Sequence, residues 1–150
     1  MASPHQTARF GAIHCSDGDI IRMERGIIPF THARRFVLVA REDEEPFQWL
    51  QSLDDPALAL VLAPLDVLFP DHAARVWAGI SHESAPVSYH DASLWGVVVL
   101  DADPAKITVN LLAPILIDAD AMTAEQVVLD GPLELAREPL EPALCAPALA

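Results

Sequence analysis

Phe47-Gln-Trp-Leu-Gln-Ser-Leu-Asp-Asp-Pro-Ala-Leu-Ala-Leu-Val-Leu-Ala63 reads as two β-strands and the turn between them. Phe47 to Leu53 and Ala57 to Ala63 have ordinary strand length and are dense in apolar and aromatic residues that suit a pleated, half-buried surface. Asp54-Asp55-Pro56 breaks the run. Asp side chains bond backbone groups two residues on, and Pro fixes its own φ. The same unit recurs outward from this stretch. Ala8 to His14, Ile20 to Met23, Arg35 to Ala40, Leu94 to Leu100, Ile107 to Leu112, Ile115 to Ile117 and Gln126 to Leu129 are candidate strands, most of them separated by Asp, Gly and Pro. Asp17-Gly18 reads as a hairpin tip.

Thirteen prolines run from Pro4 to Pro147, and each would cost about 3 kcal/mol inside a helix. Long helices are therefore excluded, and with them the crossover helices that parallel strands require. Only Asp71 to Gly79 could hold a short helix, with Asp71 as its cap. The expected fold class is all-β: a small antiparallel β-barrel-like domain with at most one short helix, spanning residues 1–140. Residues 141–150, the end of Glu138-Pro-Leu-Glu-Pro-Ala-Leu-Cys-Ala-Pro-Ala-Leu-Ala150, read as a flexible Ala/Pro-rich tail with too little to bury.

Charge separates the function classes. The formal net charge is −13, which repels a phosphate backbone, so direct nucleic-acid binding is not expected and a basic protein partner is favoured. Residues 1–41 hold six Arg against Asp17, Asp19 and Glu24; the remainder holds three basic residues against nineteen acidic ones. The longest apolar run, Ala57 to Leu65, contains Pro64 and falls short of the ~20 residues of a membrane span. The first ten residues lack a signal-peptide pattern. Both features predict a cytoplasmic protein that does not enter a membrane. In that reducing compartment Cys15 and Cys145 are expected as free thiols.

Catalytic and ligand-binding signatures are missing from the sequence. The histidines His5, His14, His32, His72, His82 and His90 form no metal-ligand spacing, so no metal is expected, and the adjacent pairs Asp71-His72 and His90-Asp91 would point to opposite faces of a strand. No serine sits in a nucleophile elbow. The six glycines do not cluster into a phosphate loop, so no cofactor is expected. Ser52, Asp54 and Asp55 are better explained as turn residues. Glu42-Asp43-Glu44-Glu45 reads either as a solvated connection or as a contact for a basic partner. Phe47, Trp49, Trp77 and Trp95 are core aromatics by default.

Several segments in order resemble the flagellar assembly factor FliW family. They are Arg35-Phe-Val-Leu-Val, Pro46-Phe-Gln-Trp-Leu-Gln-Ser-Leu-Asp-Asp-Pro56 leading into Ala57-Leu-Ala-Leu-Val-Leu, Phe69-Pro-Asp71, Ile107-Thr-Val-Asn-Leu-Leu-Ala-Pro-Ile-Leu-Ile117, and Gln126-Val-Val-Leu129. The family's opening block is matched in place at Gly26, Ile27 and Phe30. The resemblance covers roughly Phe10 to Leu140. It implies a barrel-like domain that binds rather than catalyses, with two partners: flagellin and the basic translational regulator CsrA, whose repression of flagellin translation the factor antagonises. The candidate partner-binding residues are Glu42, Asp43, Glu44, Glu45, Asp54, Asp55, Phe69 and Asp71. The alternatives from other classes are a small acidic flagellin chaperone that does not bind CsrA, and a barrel-type hydrolase using Asp54 or Asp55.

Overall fold

The quoted stretch folds as its residues require. In the computed structural model, which describes residues 3–80 and 92–142, it forms β5 (Gln48–Ser52) and β6 (Ala59–Pro64), paired antiparallel with Trp49 opposite Val61. On its other side β5 pairs with β4 (Arg35–Ala40). The chain then adds β7 (Ala92–Val99), β8 (Thr108–Asp118) and β9 (Thr123–Gln126) in an antiparallel series. The two-residue strand β3 (Ile21–Arg22) pairs with β4 on one edge and with β9 on the other, so seven strands, β3 to β9, close into a barrel. The β3–β9 contact is parallel, the one parallel pair among the described strands of a sheet otherwise antiparallel. It needs no crossover helix because it arises from closure of the barrel.

The barrel wall is apolar on both faces. Along β6 the side chains alternate between two clusters: Leu60 and Leu62 face inward with Ile21, Phe36, Leu50, Ile115 and Ile117, while Ala59, Val61 and Ala63 face outward with Trp49, Leu94 and Leu116. The outer cluster is covered by α1 (Leu65–Leu68), α2 (Pro70–Gly79) and the segment ending at the buried Leu140. A sheet covered on both sides explains why its strands read as nearly continuous apolar runs. Phe47, Trp49 and Trp95 are buried as expected. Trp77 is only partly buried, and its indole N–H donates to Asp66 Oδ1 at 2.8 Å.

Several boundaries differ from the sequence reading. The expected strand Ala8 to His14 is interrupted by a turn, and the N-terminus is instead a separate hairpin, β1 (Ser3–Thr7) with β2 (Gly11–Cys15). Asp17-Gly18 is not a hairpin tip. It forms a 3₁₀ turn, Asp17–Asp19, because β2 and β3 belong to different sheets, and Asp19 Oδ2 accepts from the Ser16 N–H at 2.9 Å to hold the turn. The two expected strands Ile107 to Leu112 and Ile115 to Ile117 are one strand, β8. Its Pro114 is tolerated because residues 111–114 bulge opposite Gly96, between the pairs Val97–Asn110 and Trp95–Ile115. The last strand sits earlier than expected, at Thr123–Gln126, although Val127 and Leu129 still donate to the Pro114 and Leu112 carbonyls. A final two-residue strand, β10 (Glu138–Pro139), borders β8.

Two short helices stand where one was expected. Phe69, not Asp71, occupies the N-cap of α2, with Pro70 at the first helical position; Asp71 lies one residue inside, where its charge complements the helix dipole. Among the described residues no helix is long and apolar enough to cross a membrane. All but the first two residues of the expected tail 141–150, with Cys145, lie outside the described residues, as do His82, His90 and Asp91.

Candidate functional site

Alternating strand direction sorts the connections into two ends. One end carries the Asp17–Asp19 turn, the β4–β5 loop, the helices after β6 and the β8–β9 turn; the other carries the β3–β4, β5–β6 and β7–β8 loops. Glu42, Asp43, Glu44 and Glu45 therefore fall at the first end and Asp54 and Asp55 at the second, while Phe69 and Asp71 lie on the outer wall, where α2 packs across β8. No single contact patch on one end joins all eight.

At the second end the two aspartates are committed to the fold. Asp54 Oδ2 accepts from the backbone N–H groups of Arg34 at 2.8 Å and Arg35 at 2.9 Å, and Oδ1 accepts from Arg35 Nε at 2.8 Å. Asp55 Oδ1 accepts from the Ala57 N–H at 3.0 Å, and its Oδ2 lies 3.3 Å from His32 Nε2. Ser52 Oγ accepts from the N–H groups of both aspartates. Turn residues and clamps, rather than a catalytic group, account for every one of these contacts. Burial alone would raise the Asp54 pKa; the two backbone donors and the Arg35 guanidinium outweigh it and hold the carboxyl below its usual range.

That shift fixes a pH dependence. A carboxyl whose folded pKa is depressed contributes stability that is present above the unfolded value of about 4 and is lost as pH falls through the folded value. Asp54→Asn is expected to destabilise by about 1–2 kcal/mol at neutral pH. The gap to the unmodified protein should close as the pH is lowered past about 4. Urea unfolding at a series of pH values measures it, and a gap that stays constant with pH would contradict the role.

At the first end, Glu44 is structural. Its carboxylate accepts from the Trp49 indole N–H, with 3.3 Å to each oxygen, and lies 3.7 Å from Arg41 Nε. The 3₁₀ turn Glu42–Glu44 leaves Glu42, Asp43 and Glu45 exposed. Phe69 packs against the outer core, and its backbone bonds Leu65 and Ala73. Asp71 is exposed beside a groove of 320 Å³ lined by Leu68, His72, Arg75, Leu111, Leu135 and Glu138. His72 Nε2 meets the Leu111 carbonyl at 2.9 Å, which ties α2 to β8.

Three loops at this end, residues 16–20, 41–47 and 119–122, carry Asp17, Asp19, Glu42, Asp43, Glu44, Glu45 and Asp120, with Arg41 as their one cation. The opposite end holds Arg25, Arg34, Arg35 and Lys106 among its carboxylates. The barrel is thus electrostatically polar along its axis, a property that the count of charges in each half of the sequence did not locate. Between the acidic loops lies a cavity of 490 Å³, lined by Ile13, His14 and Cys15 of β2, Val37 to Ala40 of β4, and Ile117, Ala119 and Met122. Sequence reading assigned these residues no site, because the cavity joins segments far apart in the chain. Cys15 is buried with a free thiol. Burial, and then the Asp19 charge, push its pKa up, which disfavours the thiolate.

Among the described residues no group of three or more His, Cys, Asp or Glu side chains is placed to hold a metal. The chain resembles proteins of one kind throughout. The FliW protein family matches residues 4–140. The flagellar assembly factor FliW of Caldanaerobacter subterraneus subsp. tengcongensis is 32% identical over 135 residues, covering 89% of this chain and 90% of that protein. The same factor from Geobacter sulfurreducens is 36% identical over 125 residues, 83% of this chain and 78% of that one. A crystal structure of the flagellar assembly factor FliW superposes with a TM-score of 0.72 at 27% identity, over 93% of this chain and 96% of the other. With the barrel, the turn chemistry and the sequence all in agreement, the chain belongs to the FliW family of flagellar assembly factors.

Proposed function

We propose that this protein works in the cytoplasm by binding flagellin and the translational regulator CsrA in alternation. When unsecreted flagellin accumulates it occupies the factor, and CsrA is left to repress flagellin translation; when flagellin is exported, the factor binds CsrA and lifts the repression. The observation that carries the CsrA half is the acidic end of the barrel, with Glu42, Asp43 and Glu45 exposed on its β4–β5 loop. A carboxylate-rich surface docked beside a basic RNA-binding surface repels incoming phosphates without having to cover the site. Flagellin capture rests on apolar burial in this reading. Asp54 and Asp55 are left out of the contact, since their oxygens already hold the β3–β4 and β5–β6 loops.

Association with purified CsrA is expected to be electrostatically steered. Its on-rate should fall as salt rises, because charges are screened over about 8 Å at physiological ionic strength. The triple variant Glu42→Gln, Asp43→Asn, Glu45→Gln should slow association several-fold at low salt and leave flagellin capture unchanged; Glu44 is kept so that Trp49 retains its acceptor. Stopped-flow on-rates at two salt concentrations read both effects. An on-rate insensitive to salt in the unmodified protein sinks the steering argument, and flagellin binding without any CsrA binding turns the protein into a dedicated flagellin chaperone.

A further inference from the structure

The seam between β3 and β4 is incomplete. β3 and β4 form only the pairs Ile21–Phe36 and Arg22–Arg35, whereas β4 pairs with β5 from Phe36 to Ala40. The Leu53 N–H donates to the Arg35 carbonyl at 2.8 Å, so the odd-numbered residues of β4 bond toward β5 and the even-numbered ones away from it. Phe36 meets Ile21 on that far side. Leu38 and Ala40 turn their N–H and C=O groups the same way, and among the described residues no strand pairs with them there. The cause is local: the chain enters β3 only at Ile21, after coiling through Asp17–Asp19.

An unpaired strand edge is a template for another strand. This edge forms one wall of the 490 Å³ cavity, opposite Ile13 and Cys15 of β2 and beside Ile117, Ala119 and Met122. Leu38 is partly exposed and Ala40 exposed, so the edge can be reached from solvent. Backbone donors and acceptors at alternate residues, beside an apolar hollow, suit an extended chain: its backbone would pair with Leu38 and Ala40 while every second side chain enters the hollow. Asp19 lines the cavity with Ala119 and Met122 of the β8–β9 turn, and Ala40 in its wall leads directly into the acidic loop 41–47. We propose that this slot takes an extended segment of a partner protein by strand addition to Leu38 and Ala40, the segment carrying small apolar residues at alternate positions and Lys or Arg at its flanks.

The test uses the full chain and a synthetic peptide of about nine residues, alternating Val and Thr between Lys pairs, long enough for one strand with flanks. Binding is followed by titration and by amide exchange of the protein. The expected result is binding that weakens with salt, with slowed exchange at the Leu38 and Ala40 amides. A peptide of the same sequence, N-methylated along one backbone edge, should bind about tenfold or more weakly, since it cannot pair. Ala119→Trp, a substitution on an exposed turn, should fill the hollow and weaken binding to a similar degree. Failure of the peptide to bind, equal binding of the N-methylated peptide, or unchanged exchange at Leu38 and Ala40 each overturns the proposal. So does protection of those two amides in the free protein that disappears on dilution or on truncation after Pro142, because the slot would then be occupied by a second copy or by the chain's own terminus.

Discussion

Replacing Trp49 by alanine is expected to lower stability by about 3–5 kcal/mol. The indole is 4% exposed, and it does more than fill the outer core. Phe10 packs against it in a T-shaped arrangement with ring centroids 5.7 Å apart, the Arg9 guanidinium stacks 4.2 Å from its centroid, and its N–H reaches Glu44. Truncation removes the surface on which the turn of the β1–β2 hairpin rests, so the loss includes hairpin anchoring as well as cavity formation. Trp49→Phe keeps most of the ring contact and loses the bond to Glu44, and should cost about 1–2 kcal/mol. Urea unfolding of both variants measures the difference. A midpoint for Trp49→Ala equal to that of the unmodified protein would show that the hairpin is held by something else.

Gly26→Ala is the second large effect, about 2–4 kcal/mol. Gly26 lies in the β3–β4 loop with φ +65°, a conformation that L side chains rarely adopt. A Cβ there would stand 2.8 Å from Thr31 Cα and 2.9 Å from its carbonyl oxygen. Both obstacles are backbone, so no rotamer change relieves them. Gly11 supplies the control: its φ is +67°, but nothing lies within 4 Å of its added Cβ. Gly11→Ala should therefore cost only the conformational part, about 1 kcal/mol. If thermal unfolding shows the two variants equally destabilised, the close approach of Thr31 is not what fixes Gly26.

These positions show what the sequence disclosed. The strands of the β4–β5–β6 meander were legible because each is defined by its own residues and by the turn beside it; the acceptor roles of Asp54 and Asp55 follow from turn chemistry that acts over two or three positions. Gly26 was visible as a match to the family's opening block, though the reason for a glycine there was not. The β1–β2 hairpin was misread because Ser3-Pro-His-Gln-Thr7 has no apolar alternation and takes its shape from packing, Phe10 against Trp49. Closure was hidden as well, since a two-residue strand has no pattern of its own. The candidate site was legible as composition and not as place. The run Glu42 to Glu45 stood out as acidic, yet Glu44 is engaged by Trp49 and Arg41, and Asp54, which with Asp55 was the competing candidate, lies at the opposite end of the barrel. Which carboxylates share a surface depends on strand direction, a property of the whole sheet.

The parallel contact between Arg22 and Thr123 joins residues about a hundred positions apart. During synthesis β3 must leave the ribosome long before the strand that completes its ladder exists. The β4–β5–β6 meander, built from neighbours, can form in the meantime, while Ile21, Phe36 and Leu50 wait with their inward faces uncovered. The barrel cannot close until Thr123 has been made, so the last fifth of the chain completes it. A nascent chain stalled before Thr123 would be a substrate for chaperones however sound its first hundred residues are.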